Sequence, residues 1–229
     1  MNRVYCCFPG GKHKALTMSY DDGRTQDRRL IDIFNQNGIK GTFHLNSGLF
    51  DRGDRVLPEE IPDLYKGHEV AVHTVNHARL KSLSDDEIVK EVMDDIKNLE
   101  ELVEYEVRGM AYPYNEVDDR VLRIIRERTP IKYARTTHAT FGMDLQKELL
   151  LFKPSCRYGD EEMYMLADKL IEDKTDRPML LYIWAHTYEF DYKPDKYKEF
   201  EKFCELVSYR EDIEYCTNIK AFKLLGQIY

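Results

Sequence analysis

The chain has 229 residues, 42% of them apolar and 33% charged, with a formal net charge of −8 at pH 7. That length buries a sizeable core in one domain, and the balance is that of an ordinary soluble protein. The acidic excess, with no basic cluster to interrupt it, excludes the basic stripe that a nucleic-acid partner requires. The longest apolar run, residues 179–185, is far too short to cross a bilayer. The first residues lack the long apolar core of a signal peptide. They point to the cytoplasm if that terminus is native and to secretion if a leader has been removed. Cys6, Cys7, Cys156, Cys204 and Cys216 form an odd set without zinc-type C-x-x-C spacing, so reduced thiols are expected.

Short apolar runs alternate with helical patterns from residue 15 onward. Residues 15–20 read as a buried strand ending in the acidic doublet Asp21-Asp22. Residues 26–37 read as a helix with Leu30, Ile31 and Phe34 on one face and Gly38 as its stop. Residues 40–45 read as a second strand, closed by Asn46-Ser47-Gly48. Residues 56–66 read as a short helix in spite of Pro58 and Pro62, and residues 69–72 as a strand running straight into His73-Thr74-Val75-Asn76-His77. Ser84-Asp85-Asp86-Glu87 is a capping-box pattern. It opens a long helix with Ile88, Val92, Ile96, Leu99 and Val103 on one stripe, which is core. Further strands are expected at residues 107–112, 131–135, 149–153, 179–184 and 213–216, and helices at 118–128, 160–172, 195–209 and 218–228.

This alternation predicts an α/β fold with about seven parallel strands. No repeat, low-complexity tract or linker marks a boundary, so residues 1–229 read as a single domain. A closed or nearly closed β/α barrel is favoured over an open doubly wound sheet for a positional reason. Asp21-Asp22, His73, Tyr112-Pro113-Tyr114, Arg135 and His186 all fall at or just past predicted strand ends, where such barrels carry their working residues.

Two imidazoles four residues apart, His73 and His77, can share one face of a helical turn. With Asp22 they would make a three-ligand site for zinc, which keeps an open position for water and lowers that water's pKa. Asp21 would then be a carboxylate free to act as base, and a cation between the two acids relieves their repulsion. Asp-Gly is also a strong turn signal, so the doublet has an ordinary reading as a turn. His186 is the candidate general acid, or else a cap on the barrel end. The backbone N–H of Tyr114 could face a developing oxyanion, or the residue could belong to a plain Pro-Tyr turn. Trp184 is either core or a wall for a small acyl group. His13, His44, His68 and His138 have no partner spacing that defines a site.

Together these residues resemble the polysaccharide deacetylases, family four of the carbohydrate esterases, known for the NodB homology domain. The likeness follows the family's motifs in order over residues 15–216. Ser19-Tyr20-Asp21-Asp22-Gly23 is similar to the first motif, and His73-Thr74-Val75-Asn76-His77 to the second. Ala111-Tyr112-Pro113-Tyr114-Asn115 is similar to the third and Trp184-Ala185-His186 to the fifth, while Gly41-Thr42-Phe43 resembles the family's second strand. The resemblance implies a deformed (β/α) barrel and a divalent metal on Asp22, His73 and His77. Zinc is the expected ion, with cobalt, nickel and manganese as alternatives. It implies hydrolysis of an acetyl group on a sugar, with Asp21 as base, His186 as acid and Tyr114 in the oxyanion hole.

The chain departs from the family pattern at identifiable points. The arginine that commonly opens the third motif is Ala111 here, and Arg108 is poorly placed to replace it. The fourth motif has no clear counterpart, and Tyr133-Ala134-Arg135-Thr136-Thr137 occupies its region. Arg135 is therefore expected to reach back to Asp21 in place of the missing guanidinium. Asn115 stands for a common glycine, which a left-handed turn tolerates.

The leading expectation is a metal-dependent deacetylase of an amino-sugar oligomer or polymer, peptidoglycan- or chitin-like. An O-acetyl esterase, a small-amide hydrolase and a catalytically silent sugar binder are the alternatives. Tyr112, Trp184 and Tyr188 are expected to bind the sugar, and the rim aromatics Tyr114, Phe190 and Tyr192 suit the same use or packing. The short loops favour a short or soluble substrate. The partner expected is this carbohydrate, with no nucleic acid, no membrane span and no evident protein partner.

Overall fold

The computed structural model describes residues 8–228. Cys6, Cys7 and most of the stretch on which the leader reading rests lie outside the described residues. The described cysteines Cys156, Cys204 and Cys216 are free and buried.

β1 (Lys14–Asp21) is buried at every position, as a parallel strand covered on both faces must be. Its alternation separates two environments. Leu16, Met18 and Tyr20 join the core formed with the outer helices. Thr17, Ser19 and Asp21 bond to side chains inside the barrel.

β2 (Gly41–Leu45) and β7 (Met179–His186) flank β1. β3 (Glu69–Val72), β4 (Gly109–Ala111) and β5 (Tyr133–Arg135) extend one side, and β6 (Cys156–Arg157) the other. The order is β5-β4-β3-β2-β1-β7-β6, with all pairings parallel, and β8 (Ile213–Tyr215) joins the first half of β1. The seven strands of this path curl into a half-barrel whose outer strand β5 bridges Phe152, on the segment leading into β6. This is the expected α/β architecture. On the outside lie α1 (Asp27–Gln36), α3 (Asp85–Val103), α4 (Asp119–Arg128), α5 (Glu162–Glu172) and α6 (Lys196–Val207).

The expected strand at residues 149–153 is not formed. Leu149–Leu151 is a 3-10 turn. Only Phe152 is ladder-like, donating to the Ala134 carbonyl at 3.0 Å and accepting from the Thr136 N–H at 2.8 Å. A short apolar run serves a buried turn as well as a buried strand, and periodicity does not separate them. Pro154, with no N–H to give, interrupts the ladder before β6. The expected helix at residues 56–66 shrinks to a 3-10 turn, Pro58–Glu60, and a single turn α2 (Ile61–Leu64), because its two prolines remove helical donors. The capping box of α3 forms as expected, Glu87 accepting from the Ser84 N–H at 2.8 Å.

The barrel interior is layered. The closing helix α7 (Asn218–Leu224) covers the Ala15 end, where Phe222 packs 5.1 Å from Tyr133 and 4.9 Å from Phe152. Beyond it, Glu69 accepts from the Tyr133 hydroxyl at 2.8 Å, the Thr42 hydroxyl at 2.9 Å and the Ile219 N–H at 2.9 Å. Gly109 is what admits Tyr133 to this layer, since a Cβ there would lie 2.2 Å from the tyrosine hydroxyl. The opposite end, where the strands finish, is left for charged side chains.

Candidate active site

Strand register sets the rim. Asp21 is level with His44 on β2 and His186 on β7, and Ala111 on β4 is level with Arg135 on β5. Both carboxylate oxygens of Asp21 accept from the Arg135 guanidinium. Arg135 also donates to the Ser19 hydroxyl at 3.2 Å and the Thr136 carbonyl at 3.2 Å, and its guanidinium carbon lies 4.6 Å from the Trp184 ring centre. Arg108, by contrast, pairs with Glu100 at 2.6 Å and Glu106 at 2.8 Å, away from Asp21. Burial alone would push the Asp21 carboxyl up, but Arg135, then His73, His44 and His186, outweigh it and hold it well below the usual carboxylate range. Asp21 is therefore a carboxylate at any working pH.

Asp22, His73 and His77 bring their ligand atoms within 4.8 Å of one another. Asp22 Oδ1 lies 3.8 Å from His73 Nε2 and 3.5 Å from His77 Nε2. Tetrahedral bonds of about 2.0–2.1 Å would separate two ligands by roughly 3.4 Å, so the spacing fits zinc. The tautomer fits as well. His73 Nδ1 lies 2.8 Å from the Ala111 carbonyl, an oxygen that can only accept, so the proton sits on Nδ1 and Nε2 faces Asp22 with a free lone pair. Burial, then the neighbouring His73 imidazole, pushes His77 down to about 4, which favours the neutral ligand form.

The histidine pair does not ride on a helical turn, as the spacing had suggested. Residues 73–77 form an irregular turn in which Thr74 has φ 63° and His77 φ 53°. Partners on other elements impose it. Asp95 on α3 accepts from the His73 N–H at 3.1 Å, Asn46 donates to the His73 carbonyl at 2.5 Å, and Glu91 takes the Asn76 N–H at 3.0 Å. Asp22, Tyr114 and Asn115 also have positive φ, at 84°, 55° and 57°. Such strained backbone concentrates where a site over-determines it.

His186 Nδ1 lies 2.6 Å from Glu189 Oε1, and Arg157 bonds the same carboxylate. Burial would pull the imidazole down, but the Glu189 bond and the Asp21 and Asp22 charges outweigh it and raise its pKa. Glu189 was not singled out in the sequence. Its signal is the H-x-x-E spacing of His186-Thr187-Tyr188-Glu189, carried here on a 3-10 turn, Thr187–Tyr192.

The motif order met in the sequence has a counterpart in the comparison with protein families, where the polysaccharide deacetylase model matches residues 9–132. The chain belongs to the polysaccharide deacetylase family. It is 33% identical over 126 residues to chitin deacetylase 1 of Cryptococcus neoformans, which is 52% of this chain and 26% of that protein. It is 26% identical over 124 residues to a peptidoglycan-N-acetylglucosamine deacetylase of Bacillus cereus, 51% of this chain and 42% of that one. The matched stretches thus span less than half the length of these relatives. Among solved structures, a family 4 acetyl xylan esterase from Clostridium thermocellum, in complex with a cobalt ion, shares the fold. Its TM-score is 0.61 over 93% of this chain and 92% of that one, at 16% identity.

Within this deacetylase barrel, a cavity of about 340 Å³ is lined by Asp21, Asp22, His73, His77 and His186, with Tyr112, Tyr114, Trp184 and Tyr188 as aromatic walls. Of the residues expected there, Arg135, Phe190 and Tyr192 do not line the cavity; Arg135 lies behind Asp21, 1% exposed. The Tyr112 hydroxyl donates to the Leu150 carbonyl at 2.9 Å, so this residue presents a ring and not a free donor. Phe190 is not a rim aromatic. It is 1% exposed and packs among Tyr158, Tyr197 and Phe200 in the core. His44, unassigned from sequence, sits beneath the rim with Nε2 3.0 Å from the Ser19 hydroxyl, pushed down to about 3 chiefly by burial.

Proposed function

We propose that the chain is a metal-dependent hydrolase that removes N-acetyl groups from an amino-sugar oligomer or polymer of the chitin or peptidoglycan kind. The observation that carries this reading is the placement of Asp21 against Arg135 and of His186 against Glu189, level on adjacent strands beside a three-ligand cluster, which drives the two pKa values in opposite directions. Pairs of titratable groups driven apart in this way mark an acid and a base.

Asp22, His73 and His77 would hold the cation, and when bound it supplies Lewis-acid activation of a water and of the acetyl carbonyl. Asp21, kept ionised by Arg135, receives the proton that the attacking water gives up. His186, kept protonated by Glu189, returns a proton to the departing sugar nitrogen. The Tyr114 backbone N–H, in the strained turn facing His77, is assigned to the oxygen on which negative charge develops. Trp184 closes the wall beside the acetyl group, and Tyr188 offers its half-exposed ring to the sugar. Arg135 takes the place of the arginine missing at Ala111, and the small side chain there leaves room for it. A cavity of about 340 Å³ suits an acetyl group with the sugar that carries it, which favours short or soluble substrates.

The test is acetate release after zinc or cobalt loading, from N-acetylglucosamine oligomers, peptidoglycan fragments and acetylated xylan. Release from the amino sugars that vanishes with chelator, and falls by at least about 10²–10⁴-fold in Asp21→Asn, is the expected result. Release from acetylated xylan alone would replace the amide reading with an esterase. No release from any of the three, with metal bound and sugar retained, would replace it with a silent binder.

A further inference from the structure

The two histidines of the ligand turn are held in different ways. His73 is 2% exposed, and its N–H, carbonyl and Nδ1 are each tied to a different element through Asp95, Asn46 and the Ala111 carbonyl. The His77 side chain is 20% exposed on a residue with φ 53°. Its Nε2 faces Asp22, and the contacts that set the plane of its ring are aromatic: His73 at 4.8 Å and Tyr114 at 4.4 Å, both edge-to-face.

Tyr114 is itself clasped. The Arg79 guanidinium carbon lies 3.9 Å from the centre of its ring, and Arg79 Nη1 bonds Glu116 Oε1 at 2.7 Å. Arg79 follows His77 by two residues and Glu116 follows Tyr114 by two, so the ion pair and the ring together fasten the ligand turn to the turn after β4. A tyrosine that is 53% exposed would gain little from burial. Its contacts instead run to a cation, which favours the ring face, and to a metal-ligating imidazole.

We infer that the Tyr114 side chain, clasped by Arg79 and Glu116, is a positioning residue for the ligand His77 and sets the affinity of the site for its cation. This role is separate from that of the Tyr114 backbone N–H and rests on the metal-site reading above. An imidazole free to rotate must be ordered when the ion arrives, and that ordering opposes binding. A ring held edge-on by its neighbour has already lost the freedom, which is how groups around a metal site raise affinity without touching the metal.

The experiment is zinc affinity by competition with a fluorescent chelator, together with the melting temperature of the metal-free protein. It compares the unaltered chain with Tyr114→Ala, Tyr114→Phe and Arg79→Met. Tyr114→Ala should bind zinc about 10–100-fold more weakly, the range for partners that orient a ligand. Tyr114→Phe keeps the ring and should bind as the unaltered chain does. Arg79→Met should fall between them, and metal-free melting should not change. Equal affinity in Tyr114→Ala and the unaltered chain overturns the inference while leaving the metal site standing. If Tyr114→Ala melts early, Arg79→Met decides: weaker zinc binding supports the clasp and unchanged binding overturns it. An unaltered chain that takes up no zinc overturns the metal reading itself, and the inference with it.

Discussion

Asp21 and His186 stand side by side at the ends of β1 and β7, each against a side chain of opposite charge, yet the two pairs are built differently. On the base side, Asp21 is 3% exposed and Arg135 1%, and the guanidinium is further fixed by Ser19, Thr136 and the Trp184 ring. Beside the proposed acid, the His186 side chain is 21% exposed, its partner Glu189 is 9% exposed, and Arg157, which steadies Glu189, is 43% exposed. The buried pair strongly favours the ionised carboxylate, so a proton taken up by Asp21 is readily passed on. The half-exposed pair biases a charge state while leaving the proton free to move. In the proposed roles Asp21 must stand ionised when the water arrives and carries its proton only in passing, whereas His186 must stand protonated until the departing nitrogen takes its proton, so each pair favours the charge state its residue needs beforehand.

Breaking the buried pair should have the largest effect. Arg135→Met leaves the Asp21 carboxylate buried without its partner, which typically costs about 3–5 kcal/mol, read as a lower denaturant midpoint. Arg135→Lys should recover little, because an ammonium cannot reproduce the guanidinium's several fixed bonds. The pH dependence should also change sign. In the unaltered chain the carboxyl is held below its unfolded value of about 3.9. This group's stabilisation is therefore present above that pH and is lost only as pH falls through the native value. Without Arg135, burial drives the pKa up, so the variant should gain stability on acidification from pH 7 towards 5. A variant that is as stable as the parent and has the same pH response would remove the premise that Arg135 sets the charge of Asp21.

The half-exposed pair should respond in rate more than in stability. Glu189→Gln removes the main influence that raises His186, while burial, the largest influence of all, still lowers it. The imidazole then loses its proton at lower pH, and the alkaline limb of kcat should move to lower pH. The loss of kcat near neutrality should be on the order of tenfold or more, with a smaller stability change than in Arg135→Met. An alkaline limb that stays in place would mean that Glu189 packs against His186 without tuning it. Chelation falls between the two experiments in what it reads. A cation held at a hundred times its dissociation constant adds about 2.7 kcal/mol. Stripping it should lower the melting temperature of the unaltered chain, and should do less in His77→Ala.

The surroundings of Asp21 were legible in the sequence to a degree that the partner of His186 was not. Asp21, Asp22, His73, Arg135 and His186 each stand at or beside the end of a strand, and strand ends converge whatever the intervening helices do. That convergence, with the family's arginine missing at Ala111, pointed Arg135 to Asp21 across 114 residues. Such reasoning failed where neighbours in space, not in sequence, decide the outcome. An H-x-x-x-H spacing suits a helix, and partners from other elements, Asp95, Asn46 and Glu91 among them, make it a turn. Phe190 alternates like a rim residue but lies in a 3-10 turn that swings its ring into the core. Glu189 was three residues from His186 and still passed over, because an acid at that distance gains meaning only once the turn brings it round.

The smallest effect belongs to the aromatic walls, and it separates two tyrosines that look alike in sequence. The Tyr112 hydroxyl is committed to the Leu150 carbonyl, whereas Tyr188 lies half-exposed with its ring 5.1 Å from that of His186 and under the Arg24 guanidinium at 4.8 Å. Tyr112→Phe should therefore cost about 0.5–1.5 kcal/mol of stability, the net value of one hydrogen bond, and leave KM unchanged. Tyr188→Leu should leave stability within about 0.5 kcal/mol and raise KM several-fold, because it removes the stacking ring and no catalytic group. If the two responses were exchanged, with KM rising in Tyr112→Phe, the substrate would be drawing a hydrogen bond from a hydroxyl that the unliganded fold uses for itself. The wall beside β4 would then have to open when the sugar binds.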